Sequence, residues 1–286
     1  MGNPTTFREK CRSYRRHPLS FLMMVWVVLA TVITFAILFA ILAHIVMRGV
    51  PHLRWSLFAW HYTPDNLSLM PAFINTLTMT GLSLLIAVPL GVGAAIFLVE
   101  YANRNNRFIG AIRLTTETLS GIPSIVYGLF GLLFFVSALG WGFSLLAGAC
   151  TLSIMILPLI MRTTEEALKS VSDSFREGSF GLGAGKLRTI FRIVLPCAVP
   201  GILAGVILAT GRIVGETAAL IFTAGTVAGI PSGVMGSGRT LAVHMFNLAT
   251  EGVQMGPAYA TALVLVILVV GINALSNVVA RRLTRR

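Results

Sequence analysis

In a chain of 286 residues, 56% hydrophobic and 11% charged side chains leave too few polar groups to clothe a water-soluble globule, and the mean hydropathy of +0.84 agrees. The formal net charge of +12 comes from basic residues set in short clusters between apolar runs. That placement orients a chain in a bilayer, so membrane is the expected partner and nucleic acid is not.

Residues 1–18 form a basic tail ending "FREKCRSYRRHP". Six runs then follow that are long enough to cross a hydrocarbon core of about 30 Å: Leu19–Met47, Asn75–Val99, Leu119–Gly140, Trp141–Met161, Cys197–Ala224 and Ala258–Ala280. They predict an all-α membrane protein with six transmembrane helices in one domain, 19–286. The first run is far longer than the apolar part of a signal peptide and no small-residue cleavage site follows it, so it is expected to stay as an anchor. Lys and Arg number five in the tail, three in 101–118, six in 162–196 and four at the C-terminus. With six crossings these fall on one side and only Arg48, Arg54 and Arg239 on the other, which predicts a multi-pass membrane protein with both termini cytoplasmic.

In the third run, "SGIPSIVYGLFG" places Pro123 beside Gly121 and Gly128, which permits a kink and lets Ser120 or Ser124 face a polar path. The fourth run ends in "IMRTTEEAL". There Arg162 reads either as a snorkelling anchor or as a ligand. The cytoplasmic segment 162–196 carries two helical patterns with a break at Ser172–Ser174. Its "GLGAGK" lacks the spacing of a phosphate loop, since Phe180 and Leu187 occupy the positions where Gly and Ser or Thr are required. A nucleotide site on this chain is therefore not expected.

The fifth run places Arg212 and Glu216 near the middle of an otherwise apolar stretch, where each charge costs about 2.5–3.5 kcal/mol on insertion scales. Gly201, Gly205 and Ala209 recur every four residues, which lets a second helix approach closely, and Arg212 and Glu216 follow on much the same face. A guanidinium offers paired planar donors to an oxyanion. Glu216 has two readings: it tempers Arg212 or accepts from a protonated oxyanion, or it forms a buried ion pair that locks helices together. Beyond it, 225–257 holds "GIPSGVMGSG" and a short helical pattern through Leu241, Met245 and Leu248, either a lateral helix or part of a gate. Neither the histidines nor Cys11, Cys150 and Cys197 show metal-ligand spacing, so no metal is expected.

The spacing Glu177, Gly178, Ser179, Gly183, Ile193, Leu195, Pro196 resembles the cytoplasmic loop of bacterial ABC importer membrane subunits, with Gly178 and Ser179 standing where that loop has two alanines. Together with "GIPSIVYGLFG", "IMRTTEEAL" and "GRIVGETAAL", it is similar to the PstA-type permease subunits of phosphate importers. The resemblance implies a type I importer permease fold with a coupling loop within 163–196. Glu177, Gly178, Ser179, Gly183, Ile193, Leu195 and Pro196 would meet the ATPase, and Arg212, Glu216, Arg162 and Ser124 would line the substrate path. It also implies a homologous PstC-type permease, a PstB-type ATPase dimer holding ATP and magnesium, and a PstS-type phosphate-binding protein as partners. This chain would bind no cofactor and catalyse no reaction. Other readings are a permease for phosphonate or sulfate, a proton-coupled carrier, or a membrane enzyme using Glu216. Within the loop, Gly183 suits a positive φ, Glu177 is expected near a helix start, and Pro196 is expected to separate loop helix from span.

Overall fold

The computed structural model describes residues 18–102, 107–250 and 255–284, so the basic tail before Pro18 lies outside the described residues. Among them every regular element is helical. Helix α1 (Pro18–Gly49) is apolar on all faces and largely exposed, packing chiefly along α10 (Met255–Thr284), as a helix bathed in lipid would be.

The centre is made by α2 (Met70–Tyr101), α5 (Leu145–Ser170) and α7 (Lys186–Val214). Met79, Ala87, Leu152, Ile156, Ile160, Ala209 and Ile213 from these three helices form one buried cluster. Ser153 donates to the carbonyl of Ser83 at 3.1 Å, a polar tie between α2 and α5 of the kind that holds helices together away from water. The small residues of α7 work as expected, and their partner is in the same chain. A Cβ on Gly201 would lie 2.6 Å from that of Ala167, and one on Gly205 would run into Thr163, so α5 and α7 touch backbone to side chain.

Two of the six expected spans are not straight helices. The run Leu119–Gly140 is divided between α3 (Arg107–Ser120) and α4 (Ser124–Ala138), which meet at 103°. Pro123 has no N–H to donate and pushes Ile122 out of the helical region, so α3 stops there. At about 1.5 Å per residue α4 reaches only about 22 Å, short of a full crossing. The segment 101–118, expected as a cytoplasmic connection, is largely α3.

The run Cys197–Ala224 is corrected at both ends, since its helix begins at Lys186 and stops at Val214. Pro196 does not divide loop helix from span. A π-helical turn, Ile190–Val194, directly precedes it, and the looser winding there absorbs the missing donor, so the helix continues through Pro196. Beyond Val214 the chain turns at Gly215 and restarts as the one-turn α8 (Ala218–Ile221). Arg212 and Glu216 therefore do not share a helical face. Among the described residues five helices are long and apolar enough to cross a membrane, and a sixth crossing requires α3 and α4 to count as one.

At the end of the bundle away from α6 (Asp173–Gly181), α9 (Leu241–Thr250) packs on α2 and α10. His244 is fully buried there. The Tyr62 ring stands edge-on to it, with centroids 6.0 Å apart, and carries the Arg239 guanidinium 4.6 Å from its centroid. Burial, helped by the charge of Arg239, holds the imidazole down at about 3.

Candidate translocation site and coupling surface

One face of α3, one face of α5 and the last turn of α7 enclose a cavity of about 410 Å³. From α3 come Arg113, Thr116, Glu117 and Ser120, at the three- and four-residue spacings of a single helical face. From α5 come Pro158, Leu159, Arg162, Glu165, Glu166 and Lys169. Arg212 arrives from α7, level with Pro158 and Leu159, half-way along α5. The helix carrying Arg212 ends two residues later.

Most charges in the cavity are paired. Glu165 Oε2 accepts from Lys169 Nζ at 2.7 Å and lies 3.5 Å from Arg113 Nη2, while Arg162 Nε donates to Glu166 Oε1 at 3.2 Å. Among the described residues Arg212 has no carboxylate within salt-bridge distance. Its guanidinium also lines a second, larger cavity of about 1020 Å³ with Pro200, Leu208 and Asn273, so it stands where two open spaces meet. A cation in the last turn of a helix is favoured by the carbonyl dipoles there, and Arg212 occupies that turn.

Glu216 does not join this cavity and forms no ion pair with Arg212. Its Oε1 accepts from the N–H of Ala219 at 3.1 Å, capping α8 just after the break. Ser124 opens α4 beyond the bend and is absent from the cavity wall, where Ser120 stands instead. The two breaks brace one another. Tyr127 Oη donates to the carbonyl of Leu119 across the bend at 2.7 Å, and the backbone of α4 at Gly128 rests on Ala219 of α8.

The loop residues lie on and around α6. Ser172 caps this helix, which starts at Asp173, so Glu177 sits beyond the first turn rather than near the start, and it is exposed. Gly178 faces open space, so its replacement of alanine costs helix propensity, about 1 kcal/mol, and no packing. Ser179 is buried, its Oγ 2.8 Å from Thr189 Oγ1, tying α6 to the start of α7. Gly183 has φ +82, as the spacing predicts. It closes α6 in a left-handed turn in which Gly183 N–H donates to Phe180 O at 2.9 Å and Ala184 N–H to Ser179 O at 3.1 Å. Val194 between Ile193 and Leu195 is buried, while Pro196 is exposed. Around Glu177 the apolar side chains Phe175, Phe180, Leu182 and Leu187 are exposed, a patch with the makings of a docking surface.

Several further residues of the site were not singled out from the sequence, Thr116, Glu117 and Glu166 of the cavity wall among them. Arg113, Glu165 and Lys169 join the cavity, and Arg176 and Glu100 fix the loop. Arg176 gives Glu100 two hydrogen bonds, at 2.8 and 3.2 Å, and donates to the carbonyls of Leu168 and Val171 at 3.0 and 2.8 Å. One side chain thus fastens α6 to the ends of α2 and α5. The Glu165–Lys169 and Arg162–Glu166 pairs were readable as four-residue spacings on one helix. Arg113 with Glu165 and Arg176 with Glu100 had no such signal, being 52 and 76 positions apart.

Residues 87–286 match the family described as binding-protein-dependent transport system inner membrane component. The chain belongs to this family. It is 36% identical over 239 residues to the probable ABC transporter permease protein YqgI of Bacillus subtilis, covering 78% of this chain and 81% of that one. It is also 36% identical over 218 residues to the phosphate transport system permease protein PstA 1 of Mycobacterium tuberculosis, covering 75% and 71% of the two chains. In fold it is similar to a chain of the bacterial alginate ABC transporter, with a TM-score of 0.71 at 19% identity over 96% of this chain and 97% of that one. A chain of the MetNI methionine ABC transporter superposes with a TM-score of 0.61 at 21% identity, covering 78% and 99%. As a type I importer permease this chain works with an ATPase and a substrate-binding protein, and α7 runs from the loop to Arg212.

Proposed function

We propose that this permease is the PstA-type subunit of an ATP-driven phosphate importer, paired with a PstC-type permease, a PstB-type ATPase dimer and a PstS-type binding protein. The observation that carries the reading is the guanidinium of Arg212, unpaired by any carboxylate of the described chain and placed half-way along α5 where two cavities meet. The phosphate naming of its relatives supplies the substrate class. Arg162 stands one turn further along the same wall. Glu216 acts on the path indirectly: by capping α8 it fixes the break that ends α7 two residues beyond Arg212. The exposed loop around Glu177 and Gly183 is the surface the ATPase grips.

Taken with six crossings, the charge count supports both termini lying in the cytoplasm. Cysteines introduced at Asp65 and Ser237 are expected to react with an impermeant reagent from outside, and one at Lys186 is not. Labelling at Lys186 in intact cells overturns that orientation. The substrate reading is tested by Arg212→Lys in the complete complex. Loss of a charge-assisted paired contact, about 1.5–3 kcal/mol, should slow phosphate uptake roughly tenfold to a hundredfold. Since Arg212 leaves no carboxylate behind, assembly should be intact. Uptake falling only in step with the amount of assembled complex assigns Arg212 a structural role. Stronger competition by sulfate or phosphonate than by phosphate transfers the reading to another oxyanion, and uptake without ATP to a proton-coupled carrier.

A further inference from the structure

We propose that the part of the cavity between α3 and α5 is a second anion station, on the α6 side of Arg212, in which Glu165 is an exchangeable counter-ion. The proposal rests on the phosphate reading above.

Glu165 is the enclosed carboxylate of a salt-bridged pair of neighbours, its side chain 12% exposed against 66% for Glu166. A single oxygen, Oε2, serves both Lys169 and Arg113. Two cations sharing one carboxylate leave this salt-bridged cluster with one positive charge in excess; of the other carboxylates on the wall, Glu166 is held by Arg162, and Glu117 makes no ion pair among the described residues. The donors are also incompletely used: Arg113 Nε is buried without a hydrogen-bond partner among the described residues. A buried donor left unmade is costly, so this guanidinium edge points to an acceptor that the chain itself does not supply.

The missing acceptor has a definite chemistry. As placed, Oε2 meets Arg113 Nη2 and Lys169 Nζ, and Arg113 Nε is left without an acceptor. A tetrahedral oxyanion can serve all three, giving two oxygens to the Arg113 fork and a third to Lys169. Arg162, one turn from Glu166 on the same face, and then Arg212 continue the line of cations along the cavity. An anion leaving Arg212 would thus pass onto Arg113 and Lys169 by taking the place of Glu165.

The same carboxylate then prevents trapping. Once displaced, Glu165 remains in an enclosed position beside a bound anion, and the two repel. Its return to Lys169 and Arg113 expels the anion and resets the station. Glu165 is therefore a positioning residue for release, and its charge sets how long phosphate stays.

The test is equilibrium binding of radiolabelled inorganic phosphate to the complete complex in nanodiscs, without nucleotide or binding protein. A like charge at contact distance shifts an ionisation equilibrium by about one to three units. Removing it should therefore tighten phosphate binding about tenfold or more in Glu165→Gln. Adding Arg113→Gln and Lys169→Gln to that variant should abolish the gain. Lys169→Gln alone, at a side chain 45% exposed and so tolerant of change, should weaken phosphate binding severalfold relative to the unaltered complex. Equal affinity in Glu165→Gln and the unaltered complex overturns the station, as does a gain that survives loss of both cations. If Glu165→Gln does not assemble, unchanged affinity in Lys169→Gln overturns it. Failure of the phosphate reading looks different: Arg212→Lys then imports phosphate at the unaltered rate, whatever the binding measurement gives.

Discussion

Replacing Arg176 by Gln should release α6, the helix proposed to meet the ATPase, without unfolding the membrane domain. The Arg176 and Glu100 side chains are 14% and 9% exposed, so the variant leaves an enclosed carboxylate without its cation and two carbonyls without a donor. Breaking a buried pair on one side costs about 3–5 kcal/mol. This pair sits at the end of α2, and Asp173, the arginine's other acidic contact, is 85% exposed and contributes little, so about 3 kcal/mol is the expected loss. The other polar anchor of α6, the Ser179–Thr189 hydrogen bond, is worth about 1 kcal/mol. Most of the docking of this nine-residue helix therefore rests on Arg176. Hydrogen exchange of amides 173–181 in the assembled complex should quicken by about a hundredfold, the equivalent of roughly 3 kcal/mol. ATP hydrolysed per phosphate imported should rise with it. Glu100→Gln should act in the same direction, and the double variant should be much less than additive, since both remove one interaction. Unchanged exchange over 173–181, or additive effects, refutes the strut. Faster exchange with normal coupling refutes the link between α6 and transport.

Gly183→Ala should cost about 1–2 kcal/mol, because its φ of +82 disfavours a Cβ, while Gly183→Asn should be milder; unequal loss of coupling at equal membrane levels checks the order, and indifference to both removes the left-handed turn from the mechanism. Gly205→Val should drive α7 off Thr163 and reduce the amount of folded chain, with Thr163→Ala restoring part of it; no rescue means that the two helices do not meet there. His244 has its folded-state pKa lowered from 6.5 to about 3, so the unfolded chain binds the extra proton in that window. Stability should be complete above about pH 6.5 and fall as pH drops, by about 2 kcal/mol at pH 5 at roughly 1.4 kcal/mol per unit. Thermal melts of the purified protein at pH 5 and pH 7.5 should therefore differ, and the difference should vanish in His244→Phe.

Hydrophobic run length was enough to locate the membrane helices, because a continuous apolar stretch has no other stable place to go. The left-handed Gly183 and the small-residue contacts of Gly201 and Gly205 were equally legible, since each follows from what a missing Cβ permits locally. Helix ends inside the membrane were not. Apolar length takes Cys197–Ala224 for one span, whereas the chain breaks at Gly215 because Glu216 caps a new turn and α4 packs against it. Pro196 misleads in the opposite sense, since a neighbouring π turn lets the helix pass through it. The partners of the charges lay furthest from view. Arg212 was conspicuous in the sequence as a charge among apolar residues, but that it lacks a carboxylate while Arg113, Lys169 and Arg176 have one is decided by which helices meet. Ion pairs between residues 52 and 76 positions apart leave no periodic trace, because their energy is set by distance in the folded chain and not by spacing along it.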